Sequence, residues 1–217
     1  MKRAIIFANG TMEQPPAIPG GIQPGMLLIA ADGGSRHCKT LGLIPSVIIG
    51  DFDSLGAEEL SQYRERGVEI LQHPREKDQT DLELAVRLAI ERGMREVYIT
   101  GALGKRLDMT IANLLLLAMA DFAGVKFHVL DGRQEILILR GRGAITLEGL
   151  PGDSLSLIPL SGDATGITTH GLKYPMKDEA LNFGSSRGVS NLFSDENARI
   201  ALKQGILLCV FNPGSEP

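Results

Sequence analysis

The sequence predicts an α/β amino-terminal domain with a mostly parallel sheet, followed by an all-β carboxyl-terminal sandwich domain. Three observations carry this expectation. Through the first 130 residues, short β-favouring runs alternate with helical stretches. At least one of those stretches carries an apolar stripe at helical spacing. After residue 132 the helical stripes stop, and short apolar runs follow one another, separated by Gly, Pro, Asp and Ser. With 217 residues, 43% of them hydrophobic, the chain is long enough to bury the cores of two modest domains.

In order, the strand-like runs are "RAIIFA" (3–8), "MLLIAA" (26–31), "SVIIG" (46–50), "VEILQH" (68–73), "EVYITG" (96–101) and "KFHVLD" (126–131). Between the third and fourth, "AEELSQYRERG" closes on Gly67. Between the fourth and fifth, "QTDLELAVRLAIERG" closes on Gly93. A glycine is suited to the position just past a helix end. In the second helix Leu82, Ala85, Val86 and Ala89 fall at i, i+3, i+4 and i+7, a core-facing stripe. Strands alternating with helices imply parallel pairing with both faces covered, a Rossmann-like arrangement. Beyond it, "QEILILRG", "GAITLEG", "DSLSLIPLSG" and "GILLCVFNP" read as strands of an antiparallel sandwich. The boundaries expected are 1–132 for the α/β domain and 133–217 for the β domain.

Bulk properties exclude several classes. A net charge of −4 with no basic block argues against nucleic acid and anionic membranes as partners. The start, "MKRAIIFANG", has too short an apolar run for a signal peptide and reads as the first strand. The longest apolar segment, "IANLLLLAMADFAG", is broken by Asn113 and Asp121 and is no membrane span. Cys38 and Cys209 fit neither a metal nor a redox spacing and read as buried thiols in a reducing, cytoplasmic setting.

The chemistry is announced by acids. Asp32 follows the second strand, Asp51 and Asp53 follow the third in "VIIGDFDSLG", Asp78 and Asp81 follow the fourth in "KDQTD", and Asp108 follows the fifth. All lie past the carboxyl ends of strands, the edge at which open α/β sheets bind ligands. Carboxylates gathered on one rim repel one another unless a cation neutralises them. Each has a plainer reading as well. Asp78 suits a helix N-cap, Thr80 with Glu83 makes a capping box, and Asp32 or Asp108 could sit in a turn or a cap. Taken together, the set favours metal. Gly33 and Gly34 open "GGSRHCKTLG", where bare backbone N–H groups can meet phosphate oxygens. Lys105 and Arg106, in a glycine-loosened loop, suit a polyphosphate. That loop is no Walker A motif: no glycine stands five residues before Gly104, and neither Ser nor Thr follows Lys105. "GSSRG" (184–188) imitates a hydrolase nucleophile elbow, but every histidine precedes Ser186.

Taken in order, "ADGG", "GDFDS", "KDQTDLE", a "G…RLD" loop, "GLKYP" and "SRGVSN" resemble the thiamine pyrophosphokinase family from Asn9 to about Phe193. The resemblance implies transfer of the pyrophosphoryl group of ATP to thiamine, with Mg²⁺, by a homodimer whose sites are shared between subunits. It places Asp32, Asp51, Asp53, Asp81 and Asp108 at the positions serving magnesium and catalysis. Asn9, Gln79 and Thr80 fall near the nucleotide, and Ser190 and Asn191 near thiamine. Many bacterial relatives have Gly where this chain has Lys105, and His where it has Met109. Some relatives stack thiamine on a tryptophan; this chain has none, so Phe193 or Tyr174 is expected to take that place.

The residues suit that reaction. In-line attack at Pβ needs charge neutralised on the phosphoryl oxygens and on the departing AMP. Metal held by carboxylates can do this. A primary alcohol also needs a carboxylate to accept or orient its proton, and Asp51, Asp81 and Asp108 are the candidates. Three rivals share the acidic rim: a pterin pyrophosphokinase, a thiamine-diphosphate sensor without catalysis, and a metal-dependent nucleotide hydrolase.

Overall fold

The computed structural model describes residues 1–214. Two compact units make up the described chain: Met1–Leu117 with Gly124–Gly132, and Ala118–Ala123 with residues 133–214. Arg140 of the second unit donates to the carbonyls of Ala118 (3.2 Å) and Met119 (2.8 Å), tying the short segment to it.

The first unit contains β1 (Arg3–Phe7), β2 (Leu27–Ala31), α1 (Ser35–Thr40), β3 (Val47–Gly50), α2 (Ala57–Glu65), β4 (Glu69–Gln72), α3 (Asp81–Glu91), β5 (Glu96–Thr100), α4 (Leu107–Leu116) and β6 (Lys126–Asp131). Its strands run in the order β6-β5-β1-β2-β3-β4, and every pairing is parallel. Ala4–Phe7 and Val47–Gly50 are buried throughout. Continuous rather than alternating apolar runs are what a sheet covered on both faces requires. The predicted stripe of α3 is its buried face: Leu82, Ala85, Val86 and Ala89. Gly67 and Gly93 take φ +79° and +80° just past α2 and α3, the left-handed termination read from sequence. Helix α4 is less conventional, because Leu107, Ile111 and Leu115 leave an apolar stripe exposed at i, i+4 and i+8. No helix among the described residues is long and apolar enough to cross a membrane.

The second unit contains β7 (Gln134–Arg140), β8 (Gly143–Glu148), β9 (Ser154–Pro159), β10 (Ala164–His170), β11 (Glu179–Leu181), β12 (Asn191–Leu192), β13 (Asn197–Leu202) and β14 (Ile206–Asn212). They form two antiparallel arrays, β12-β9-β14-β7 and β11-β10-β13-β8. One core joins them. Leu139, Leu157 and Leu207 from the first array pack with Leu147, Ile167 and Ile200 from the second. Strand β9 alternates buried and half-buried residues, the period-two signature of a sheet with one face inward.

Candidate active site

Strand β1 lies at the centre of the parallel sheet. The chain adds β2, β3 and β4 on one side, then returns to add β5 and β6 on the other. The crevice where the order reverses is where such sheets bind ligands. Here the segments after β1 and β5 stay joined: Ala8 N–H donates to Thr100 O (2.8 Å), Gly10 N–H to Gly101 O (2.7 Å) and Thr11 N–H to Leu103 O (3.0 Å). Above them opens a cavity of about 530 Å³. It is lined by Ala8–Thr11, Ala31, Asp32, Thr80–Leu82, Gly101, Leu103–Arg106, Met109, Thr110 and Asn113.

Asp32 is the first residue beyond β2, in left-handed backbone (φ 46°) and only 6% exposed. Its Oδ2 accepts from Ser54 Oγ (2.9 Å) and Asn9 Nδ2 (3.3 Å), while Asn9 Oδ1 accepts from Arg36. Its Oδ1 is buried and has no hydrogen-bond partner among the described residues. Asp51 and Asp53 flank Phe52, whose ring is buried in the core and whose backbone is left-handed (φ 62°). Anchoring Phe52 inward turns its two neighbours outward together, which is how "GDFDS" delivers both acids to one place. Asp53 N–H donates to Asp51 Oδ1 (3.1 Å). One oxygen from each of Asp32, Asp51 and Asp53 lies within 4.8 Å of the other two.

Asp81 lines the cavity as the first residue of α3. The cap is Thr80, whose Oγ1 accepts from Glu83 N–H (3.2 Å), so Asp81 is free of capping duty. Asp78 is exposed and is not the cap, and Glu83 turns to Arg87 (2.8 Å) rather than closing a capping box. Burial pushes the Asp81 carboxyl above its ordinary range; Lys77, at 3.0 Å from Oδ1, opposes that, and Asp32 and Asp51 add to it.

Other expected residues stand differently. Asp108 is exposed and bound to Arg106 (2.5 Å), which holds its carboxyl below the usual range; it does not line the cavity, although Lys105 and Arg106 do. Gln79 is exposed and outside the lining. Gly33 and Gly34 are buried in a 3-10 turn with Asp32 rather than in the cavity wall. A Cβ on Gly34 would fall 1.8 Å from the Phe7 carbonyl oxygen, so that glycine lets the turn lie against β1. Thr11, Ser54, Lys77 and Asn113 were not anticipated, although Ser54 and Lys77 sit inside the acidic motifs themselves.

In the β unit, Asn191 is 6% exposed and its side chain makes three hydrogen bonds to backbone. Oδ1 accepts from Tyr174 N–H (3.0 Å) and Leu192 N–H (2.9 Å), and Nδ2 donates to Tyr174 O (2.8 Å). Ser190 is exposed at φ 60°, with its backbone N–H on Ser156 Oγ (3.0 Å). Phe193 is 2% exposed and packs on Phe211 with ring centroids 5.1 Å apart, so it offers no open ring face. Tyr174 is 61% exposed.

Comparison with known proteins decides the family. Residues 22–129 match the family model of the thiamin pyrophosphokinase catalytic domain, and residues 144–207 match that of the thiamin pyrophosphokinase vitamin B1 binding domain. The chain belongs to the thiamin pyrophosphokinase family. It is 29% identical to thiamine pyrophosphokinase of Bacillus subtilis over 97% of this chain and 98% of that one. It is 28% identical to thiamine pyrophosphokinase 1 of rice (Oryza sativa subsp. japonica) over 72% of this chain, spanning 62% of the plant protein's length. The crystal structure of the Bacillus subtilis thiamine pyrophosphokinase superposes with a TM-score of 0.87 at 27% identity, covering 99% of this chain and all of that one. The catalytic match contains all five expected metal or catalytic aspartates. The B1-binding match contains Tyr174, Ser190 and Asn191.

Proposed function

We infer that the chain transfers the pyrophosphoryl group of ATP to the hydroxyethyl oxygen of thiamine, forming thiamine diphosphate and AMP. The observation that carries this reading is the Asp32–Asp51–Asp53 group, whose Asp32 lines the switch-point cavity while Asp51 and Asp53 stand outside its lining, in a chain matching both halves of the family. Magnesium suits that group. Its donors are hard carboxylate oxygens, and Asp32 Oδ1 is buried without a partner, a state that costs free energy unless something binds it. When bound, the ion supplies positive charge against the phosphoryl oxygens. Asp32, Asp51 and Asp53 would hold it. Lys105 and Arg106, on the cavity wall, meet the remaining polyphosphate charge. Asp81 is the carboxylate best placed to take or orient the hydroxyl proton, because it lines the cavity and Thr80 relieves it of capping the helix. Asp108 then acts by holding Arg106.

For thiamine, the proposal uses the β unit, with Asn191 fixing the backbone of Tyr174 and the exposed tyrosine ring offered to the thiazolium cation. We also propose a homodimer with sites shared between subunits. The exposed Leu107, Ile111 and Leu115 stripe supports an apolar partner for α4, and light scattering on the purified chain tests it, a monomer overturning it. A pterin pyrophosphokinase, a sensor and a hydrolase are not supported by the comparisons.

The deciding experiment uses ATP labelled in the adenine, with Mg²⁺ and thiamine. AMP is expected to appear in step with thiamine diphosphate. ADP with thiamine monophosphate would overturn attack at Pβ, and no thiamine-dependent product would overturn the enzyme reading.

A further inference from the structure

Lys77 is placed oddly for a residue with no catalytic expectation. Its side chain is 12% exposed, its Nζ lies 3.0 Å from Asp81 Oδ1, and it also donates to Pro74 O (3.2 Å). Burying an ammonium is costly unless opposite charge surrounds it. The site is wrong for helix stability, since a cation beside the amino end of α3 opposes the helix dipole. Lys-before-Asp is also the weaker order for an i,i+4 pair. The contact is an ion pair between Lys77 Nζ and Asp81 Oδ1. The attraction that holds Lys77 is therefore the charge of the acidic rim, to which Asp32 and Asp51 contribute near Asp81.

We propose that Lys77 is a resident counter-ion that reserves Asp81, restricting the nucleotide-free rim to one divalent cation on Asp32, Asp51 and Asp53. This rests on the metal-site reading above. One fixed positive charge neutralises the fourth carboxylate and repels a divalent ion from it. Asp81 thus stays oriented toward the cavity rather than being drawn into the metal group. Lys77 is a positioning residue: it does not line the cavity and acts through Asp81.

The test is Mn²⁺ binding to the nucleotide-free protein, read from the electron paramagnetic resonance signal of free Mn²⁺. Wild type is expected to bind one ion, and Asp53→Asn to lose it. Lys77→Met removes the repelling charge and exposes Asp81, so Mn²⁺ is expected to bind about tenfold tighter or more, or a second ion to appear. Lys77→Arg restores wild-type binding. A merely structural role predicts the opposite sign, since a loosened rim binds metal more weakly. Weaker or unchanged binding in a folded Lys77→Met, checked by circular dichroism, overturns the counter-ion role while leaving the metal site standing. Absence of Mn²⁺ binding in wild type overturns both. If Lys77→Met does not fold, Lys77→Gln serves with the same expected sign, and failure to tighten there overturns the proposal.

Discussion

The acidic rim of the α/β unit and the "SRGVSN" loop of the β unit are both motif segments, and their side chains are in opposite states. On the rim, Asp32 keeps a buried oxygen with no partner among the described residues, and one oxygen from each of Asp32, Asp51 and Asp53 lies within 4.8 Å of the others, with Arg75 3.7 Å from Asp53. In the loop, Asn191 spends three of its four hydrogen-bonding positions on the backbone of Tyr174 and Leu192. Unmet bonding at a buried carboxylate oxygen beside two further carboxylates calls for a partner from outside the chain. Bonding directed at the backbone marks a residue that shapes the surface on which another residue acts. A motif therefore does not assign its members equal roles.

The largest expected effect lies on the rim. Asp51→Asn and Asp53→Asn each remove a charge from the proposed metal group, so turnover is expected to fall on the order of a thousandfold. Both side chains stand at a partly exposed turn, so stability is expected to change by no more than about 0.5 kcal/mol. Initial rates and chemical denaturation of the same preparations check this. Near-normal rates at low Mg²⁺ would reduce "GDFDS" to a turn and erase the contrast.

Asn191→Ala should behave in the reverse way. Removing three hydrogen bonds at a buried position is expected to cost about 2–4 kcal/mol in denaturant unfolding. Ser190→Ala next to it is expected to stay within about 0.5 kcal/mol, because the backbone N–H of Ser190, not its hydroxyl, bonds Ser156. If Asn191→Ala is as stable as wild type yet binds thiamine poorly, Asn191 touches substrate and the two segments are alike.

The parallel unit was legible because burial on both faces of inner strands such as β1 and β3 writes itself as uninterrupted β-branched and aliphatic runs; each of β1 to β6 falls inside an expected segment. The β unit was half legible. Strands β7, β8, β9 and β14 were anticipated, while β10 to β13 were not. In "ATGITTH" the register shifts between Thr165 and Ile167, so apolar alternation is broken in the sequence. In "NARIAL" two of the six residues are alanines, which fill little volume and give a weak apolar signal. At the site, residue type and strand-end position brought out Asp32, Asp51, Asp53 and Asp81. Pattern could not show that Phe52 points inward, that Gly34 serves packing, or that Asp108 turns to Arg106. Those depend on which neighbour lies within a few ångströms, and spacing along the chain does not encode that.

The smallest expected effect separates the clamp from what it presents. Asn191 holds both the N–H and the C=O of Tyr174, while the tyrosine ring itself is 61% exposed. Tyr174→Ala keeps every one of those backbone bonds, so its stability is expected to match wild type within about 0.5 kcal/mol. A cation resting on an exposed ring gains about 0.5–1 kcal/mol, more when desolvated, so KM for thiamine is expected to rise roughly three- to tenfold. Because the ring acts on binding alone, kcat should change little. Tyr174→Phe keeps the π face and should retain the wild-type KM, which excludes the hydroxyl as the contact. Asn191→Ala should raise KM as well, but together with its stability loss, since freeing the Tyr174 backbone misplaces the ring. An unchanged KM in Tyr174→Ala would send the thiazolium to another surface and leave Asn191 with a structural role only.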